Sequence, residues 1–142
     1  MPKWWLCHWH NFAAAVAAQA TAMKNKTLVL GASENPERYS NKAILMLTAH
    51  RHEVLAIGNK AGEVNHVPIA TAPIATDDVD TITMYLNATR QKPYYDYILS
   101  LKPRRIIFNP GAENEELEDL AKANGIQPID ACTLVLLSTG QY

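Results

Sequence analysis

The feature that most constrains this chain is an alternation of short apolar runs and helical patterns that begins after Met23. Thr27-Leu28-Val29-Leu30 is β-branched and aliphatic and closes at Gly31, the pattern of a buried parallel strand. Ser40-Asn41 then lead into a helical pattern carrying Ala43, Ile44 and Leu47 as far as about Arg51. Glu53 to Ile57 reads as the second strand, stopped by Gly58, and Val67-Pro68-Ile69 as a brief third. Thr81 to Leu86 supplies a fourth. Pro93 suits the first turn of a helix reaching Leu101, and Arg105 to Phe108 is the fifth strand, closed by Asn109-Pro110-Gly111. Asn114 is the expected N-cap of the next helix, with Glu115 and Glu116 at its positive end, Leu117, Leu120 and Ala121 as its buried stripe, and Gly125 as its stop. Ile126 to Asp130 is a final strand. Such alternation predicts right-handed crossovers and an α/β fold, an open parallel sheet of five or six strands with helices on both faces.

A length of 142 residues suits one core that needs no disulfide or metal staple. The net charge of −1 argues against a nucleic-acid partner, which calls for a basic excess. No apolar run approaches the roughly 18–20 residues that span a bilayer, so no membrane role is expected. Cys7 and Cys132 form neither a disulfide framework nor a zinc spacing, which predicts a reduced, cytoplasmic protein without a metal site.

Residues 1–22 differ in kind from residues 23–142. Trp4, Trp5 and Trp9 fall in the first nine positions, and seven of the ten residues from Ala13 to Ala22 are alanine. A secretory signal would use Lys3 and an Ala20-Thr21-Ala22 cleavage site, but His8, His10 and Asn11 interrupt its apolar stretch. Trp5, Trp9, Phe12 and Val16 share one helical face, which favours an accessory helix able to meet a second copy or a partner protein. A translated upstream stretch, with Met23 as the biological start, is compatible with that helix.

In an open parallel sheet, ligands gather beyond the carboxyl ends of the strands. Four loops rich in Gly, Asn or Ser land there: Gly31-Ala32-Ser33-Glu34-Asn35-Pro36, Gly58-Asn59-Lys60-Ala61-Gly62, Asn87-Ala88-Thr89-Arg90 and Asn109-Pro110-Gly111. Small side chains let backbone amides approach a ligand, and the first loop enters a helix N-terminus, which favours phosphate. A dinucleotide fingerprint is absent, since G-x-G-x-x-G needs three glycines and Gly31 is the single one here. Where a ribose-binding acid is expected stand Gly58-Asn59-Lys60. A lysine there suits a nucleotide with an extra ribose phosphate, coenzyme A or, less well, NADP.

These residues carry a family resemblance. Val29-Leu30-Gly31-Ala32-Ser33 with Asn35-Pro36 and Tyr39-Ser40 resembles the opening of small CoA-binding proteins of Rossmann-like fold, similar to the nucleotide-binding domain of the succinyl-CoA synthetase alpha subunit. Ile57-Gly58-Asn59-Lys60-Ala61-Gly62, Phe108 to Glu116 and Asp130-Ala131-Cys132 resemble later segments of that group, so the likeness runs from about Lys26 to Leu137. It implies a three-layer Rossmann-like domain in which Gly31, Ala32 and Ser33 cradle a pyrophosphate beside Asn35, Tyr39 and Ser40. It further implies that Lys60, carried on the binding loop with Gly58 and Asn59, meets a phosphate, and that Asn109, Pro110 and Gly111 line the adenine or pantetheine side. The synthetase's phosphohistidine domain has no counterpart in this sequence, and Ala131 replaces the family's usual basic residue.

No complete catalytic constellation is visible. His50 and His52 belong to the amino end of the second strand, His66 has no evident partner, and Asp77, Asp78 and Asp80 read as a solvated turn at the wrong end. Cys132 is the one reactive candidate, set against burial as an inert thiol. The leading expectation is non-catalytic binding of coenzyme A or an acyl-CoA. An enzyme acting on an acyl-CoA and an NADP-binding redox or sensor domain are the alternatives.

Overall fold

A computed structural model describes residues 25–142, and the tryptophan- and alanine-rich extension lies outside them. Seven strands form one sheet: β1 (Thr27–Leu30), β2 (Val54–Ile57), β3 (Gly62–Val64), β4 (Val67–Ala70), β5 (Thr81–Met84), β6 (Arg105–Phe108) and β7 (Gln127–Asp130). Their order is β3-β4-β2-β1-β5-β6-β7, and every pairing is parallel except β3 with β4. The fold is therefore the Rossmann-like α/β sheet expected, with one strand more than the upper estimate. The extra strand is β3, a three-residue edge that turns back on β4 through Asn65 and His66, both at positive φ. Three residues are too few to display a period, and Asn65 is the better sequence signal because its side chain tolerates the left-handed region.

The central strands β1, β5 and β6 are buried along their whole length, which explains their aliphatic and β-branched character. On one side lie α1 (Tyr39–Ala49) and α5 (Thr133–Ser138), whose Ile44, Leu47 and Leu137 pack with Val29, Ala56 and Ile69. On the other lie α3 (Tyr95–Leu101) and α4 (Glu115–Ala123), whose Ile98, Leu117 and Ala121 meet Leu28, Met84, Ile106 and Phe108. Ser40 and Asn41 fall inside α1 rather than ahead of it, because the turn begins at Arg38. The expected Pro93 helix is a tight turn at Lys92–Tyr94 followed by α3, and it is preceded by α2 (Ala88–Gln91) where a loop is expected. Asn87, whose side chain accepts from the Arg90 amide, starts this bend early. Asn114 caps α4 as expected, accepting from the Leu117 amide, and α5 was not foreseen.

The long connection from β4 to β5 is tethered by Tyr97, whose hydroxyl donates to the Ile74 carbonyl (2.8 Å) and accepts from its amide (3.2 Å). No helix among the described residues is long and apolar enough to cross a membrane.

Candidate functional site

The carboxyl ends of β1, β2, β5 and β6 open into one cleft of about 740 Å³, within the range of small-molecule sites. Its floor is made by close backbone approach. Gly31 has φ +103°, and a Cβ there would lie 3.1 Å from the backbone of Tyr85 and Leu86. A Cβ on Gly58 would come within 2.3 Å of the Ala32 carbonyl oxygen. Both glycines are therefore required by the packing of neighbouring loops, before any ligand is considered.

Of the residues singled out in the sequence, Gly31, Ala32, Ser33, Tyr39, Ser40, Gly58, Asn59, Pro110 and Gly111 line the cleft. Three do not. Asn109 is buried: its amide donates to Thr83 Oγ1 (2.8 Å) and the Met84 carbonyl (2.9 Å), and its oxygen accepts from the Thr133 amide (2.8 Å). It ties α5 to the strand ends and faces no ligand space, so the expectation that it lines the site is corrected. Asn35 works within its own loop, accepting from the Glu37 amide (3.0 Å). Lys60 is exposed beyond the turn that carries Asn59 and does not border the cleft.

A second correction concerns which amides are free. The N–H groups of Gly31 and Ala32 both donate to the Ile57 carbonyl, at 2.8 and 2.9 Å, so they cannot also cradle a phosphate. The Gly111 amide is likewise taken, by the Glu113 carboxylate (2.9 Å). Unpaired donors remain at the first turn of α1, where helical geometry leaves the early amides without carbonyls and Arg38 supplies no side-chain cap. Tyr39 and Ser40 occupy that turn at the cleft wall.

Sequence reasoning placed the loop ending in Arg90 at the cleft without giving that cation a role, and it passed over Arg38. Arg38 and Arg90 are exposed, border the cleft, and have no ion-pair partner among the described residues. The available signal was Arg38 itself: a cation at a helix N-terminus opposes the dipole, so an anion placed beside it would relieve both. Asn87, Pro93, Tyr94, Leu86 and Tyr85 complete the wall. Burial pushes the Tyr85 hydroxyl up to about 12, so it stays neutral across the physiological range.

Cys132 is half-buried at the N-cap of α5 and does not border the cleft. His52 lies at the opposite end of the sheet, accepting the Asn25 amide (3.0 Å) and stacking near Tyr142 with ring centroids 4.8 Å apart. His66 is exposed, 3.6 Å from Glu63. Asp80 is no solvated turn residue: it receives Arg104 at 2.9 and 3.1 Å and the Thr81 hydroxyl at 2.6 Å. Partial burial alone would raise its carboxyl, but these hydrogen bonds outweigh that and hold it below its usual range.

The sheet order and the cleft at its carboxyl edge define a Rossmann-like α/β domain with a ligand-sized opening at the customary place. By its sequence the chain belongs to the CoA-binding domain family, whose profile matches residues 25–138. A solved structure described as an uncharacterized protein is 48% identical, covers 84% of this chain and 98% of its own, and superposes with a TM-score of 0.82. A hypothetical protein from Pyrococcus horikoshii OT3 shares the fold at 18% identity, with 86% and 87% coverage and a TM-score of 0.75. A dinucleotide-forming acetyl-coenzyme A synthetase 1 from Ca. Korarchaeum cryptofilum, solved with phosphate and ADP, shares it at 17% identity. That match covers 77% of this chain but 26% of the synthetase, with a TM-score of 0.61. A search of curated proteins gave no match.

Proposed function

We propose that this domain binds coenzyme A, or an acyl-CoA, in the cleft at the carboxyl ends of β1, β2, β5 and β6, and performs no chemistry on it. The observation that carries the reading is the pair of arginines, Arg38 and Arg90, bordering one cleft without carboxylate partners among the described residues, in a member of a CoA-binding family. Isolated cations bordering a concave site are matched by a polyanion, and a diphosphate presents oxygens that accept paired hydrogen bonds from guanidinium groups.

The residues present fit such a ligand. The free amides of Tyr39 and Ser40 and the dipole of α1 would support one phosphate, with Arg38 beside it and Arg90 across the cleft. Gly31 and Gly58 let the loops after β1, β2 and β5 pack closely beneath the cleft. Pro93, Tyr94 and Pro110 offer apolar surface to the less charged parts of the molecule. Lys60, on the exposed turn after β2, is the residue within this reading that would meet the ribose phosphate from outside the cleft.

The test is a thermal-shift panel with CoA, acetyl-CoA, dephospho-CoA, NADP and NAD. A ligand that binds only the native state stabilises it by about 2.7 kcal/mol at a hundredfold excess over Kd. CoA is expected to give the largest shift and NAD the smallest, with Lys60→Ala reducing the advantage of CoA over dephospho-CoA. A larger shift with NADP than with CoA would favour a redox or sensor domain instead.

A further inference from the structure

Gln91 ends α2 and is fully buried, yet every hydrogen-bonding atom of its side chain is used. Its Nε2 donates to the Leu86 carbonyl (2.8 Å) and the Ala112 carbonyl (2.7 Å), and its Oε1 accepts from Asn114 Nδ2 (2.8 Å). Asn114 gives its second amide hydrogen to the Tyr95 hydroxyl (2.8 Å), while its oxygen caps α4. Leu86 belongs to the loop that brings Asn87 and Arg90 to the cleft, and Ala112 follows Pro110-Gly111 on the loop beside it. Past the strand ends, where Asn109 bonds the Met84 carbonyl, these two loops are joined among the described residues through the Gln91–Asn114 pair.

We infer that Gln91 is a positioning residue: without reaching the cleft, it fixes the wall bearing Arg90 to the wall bearing Pro110 and Gly111, and so sets the distance across which a ligand is held. The chemistry demands an amide there. Two carbonyl oxygens on separate loops need two donors on one atom, and the neighbouring Asn114 donor needs an acceptor on the other. A carboxylate would satisfy Asn114 and repel both carbonyls. An apolar side chain of similar size would leave three buried polar groups unpaired. The inference rests on the CoA reading for its consequence in affinity, but its structural content, that one side chain couples two loops, is independent of the ligand.

The full chain carrying Gln91→Glu is compared with the wild type by amide hydrogen exchange without ligand and by titration with CoA. At pH 8 protection is expected to fall together in residues 86–90 and 110–114, and CoA affinity at least tenfold. At a pH low enough to protonate the introduced carboxyl, one donor returns and part of both losses should recover. Ile98→Val, a buried apolar change on the same side of the sheet, is expected to lower stability without the paired loss of protection. Should Gln91→Glu fail to fold, Tyr95→Phe removes the outer end of the chain and is expected to loosen the same two segments more weakly. Loosening of one segment alone, or an unchanged CoA affinity in a binding-competent protein whose melting temperature falls, overturns the proposal. If the wild type ignores CoA, the CoA reading fails, while paired exchange in the free protein still decides the role of Gln91.

Discussion

The two ends of the sheet use the same residue types for opposite purposes. At the amino end, Arg104 is clasped by Asp80, while Arg105 is buried, donating from Nε to Thr81 Oγ1 (2.8 Å) and lying 4.5 Å from the ring centroid of Tyr142. Tyr142 in turn bonds Thr27 and packs near His52, so β1, β5 and β6 are closed off there by one aromatic plug. At the carboxyl end, Arg38 and Arg90 face open space, and the loops around them are held by buried amides set back from the surface. Charge that stabilises the fold is satisfied by the fold. Charge without a partner among the described residues, set around a concave site, is available for a ligand, and this contrast points to the candidate site more sharply than any single motif.

The largest expected effect lies at the closed end. Tyr142→Ala removes the ring stacked on Arg105 and the partner of Thr27, and large-to-small changes of this kind cost about 2–4 kcal/mol. Chemical denaturation should register that loss, while CoA affinity at the other end stays within twofold. A matching loss of affinity would mean that the two ends are not independent.

The next effect couples stability and binding. In Gly58→Ala the new methyl would meet the Ala32 carbonyl oxygen at 2.3 Å, so the first loop must shift, at about 1–3 kcal/mol for overpacking. Stability and CoA binding are both expected to fall, and a variant that binds normally would show that the loop's position is unimportant. Arg105 offers the contrasting case, since it is buried within the protein and no ligand is required to explain it, even though its Nη2 has no partner among the described residues.

The smallest effects are in pH dependence and have opposite signs. Burial, then nearby His50 and Arg105, hold His52 below its usual 6.5, so it binds a proton more readily unfolded than folded. Its contribution is therefore present above about pH 6.5 and is lost as pH falls. Glu118, on α4, is pushed up to about 7 by the neighbouring Asp130 carboxyl at the end of β7, then by burial. The folded state holds that proton more tightly, so the contribution is present below the ordinary 4.5 and is lost as pH rises through about 7. Melting curves across pH 4.5–8 should show Glu118→Gln relatively more stable than wild type at the alkaline end and His52→Gln relatively more stable at the acid end. Parallel curves for all three proteins would discount both groups.

Much of this contrast was legible in the sequence, and the remainder has physical reasons. The strands β1, β2, β5 and β6 could be read because they are short runs of aliphatic and β-branched residues that end in a buried core, and α4 because Asn114 and Gly125 punctuate it. The β3 edge and α5 were missed because three- and six-residue elements are too short to display a period and are held by tertiary contacts. The loops of the cleft were located by their glycines, yet sequence could not say which amides were already taken, since the Ile57 carbonyl that binds Gly31 and Ala32 is remote in the chain. Asn109 was assigned to the ligand for the same reason, its partners Thr83 and Thr133 being about 25 residues away on either side. Neither Arg38 nor Arg90, although the loop of Arg90 was located, could be given a role, because a lone cation is significant only once its lack of a partner among the described residues is known.

The most direct test of the account is calorimetric titration of CoA into the wild type, Arg38→Ala, Arg90→Ala and the double variant, with melting temperatures measured alongside. A charge-assisted hydrogen bond contributes about 1.5–3 kcal/mol, so each single change should weaken binding about tenfold or more. Exposed side chains without partners should leave stability within about 0.5 kcal/mol of wild type. Undiminished CoA affinity in the double variant, or no CoA binding by the wild type, would contradict the assignment of this cleft.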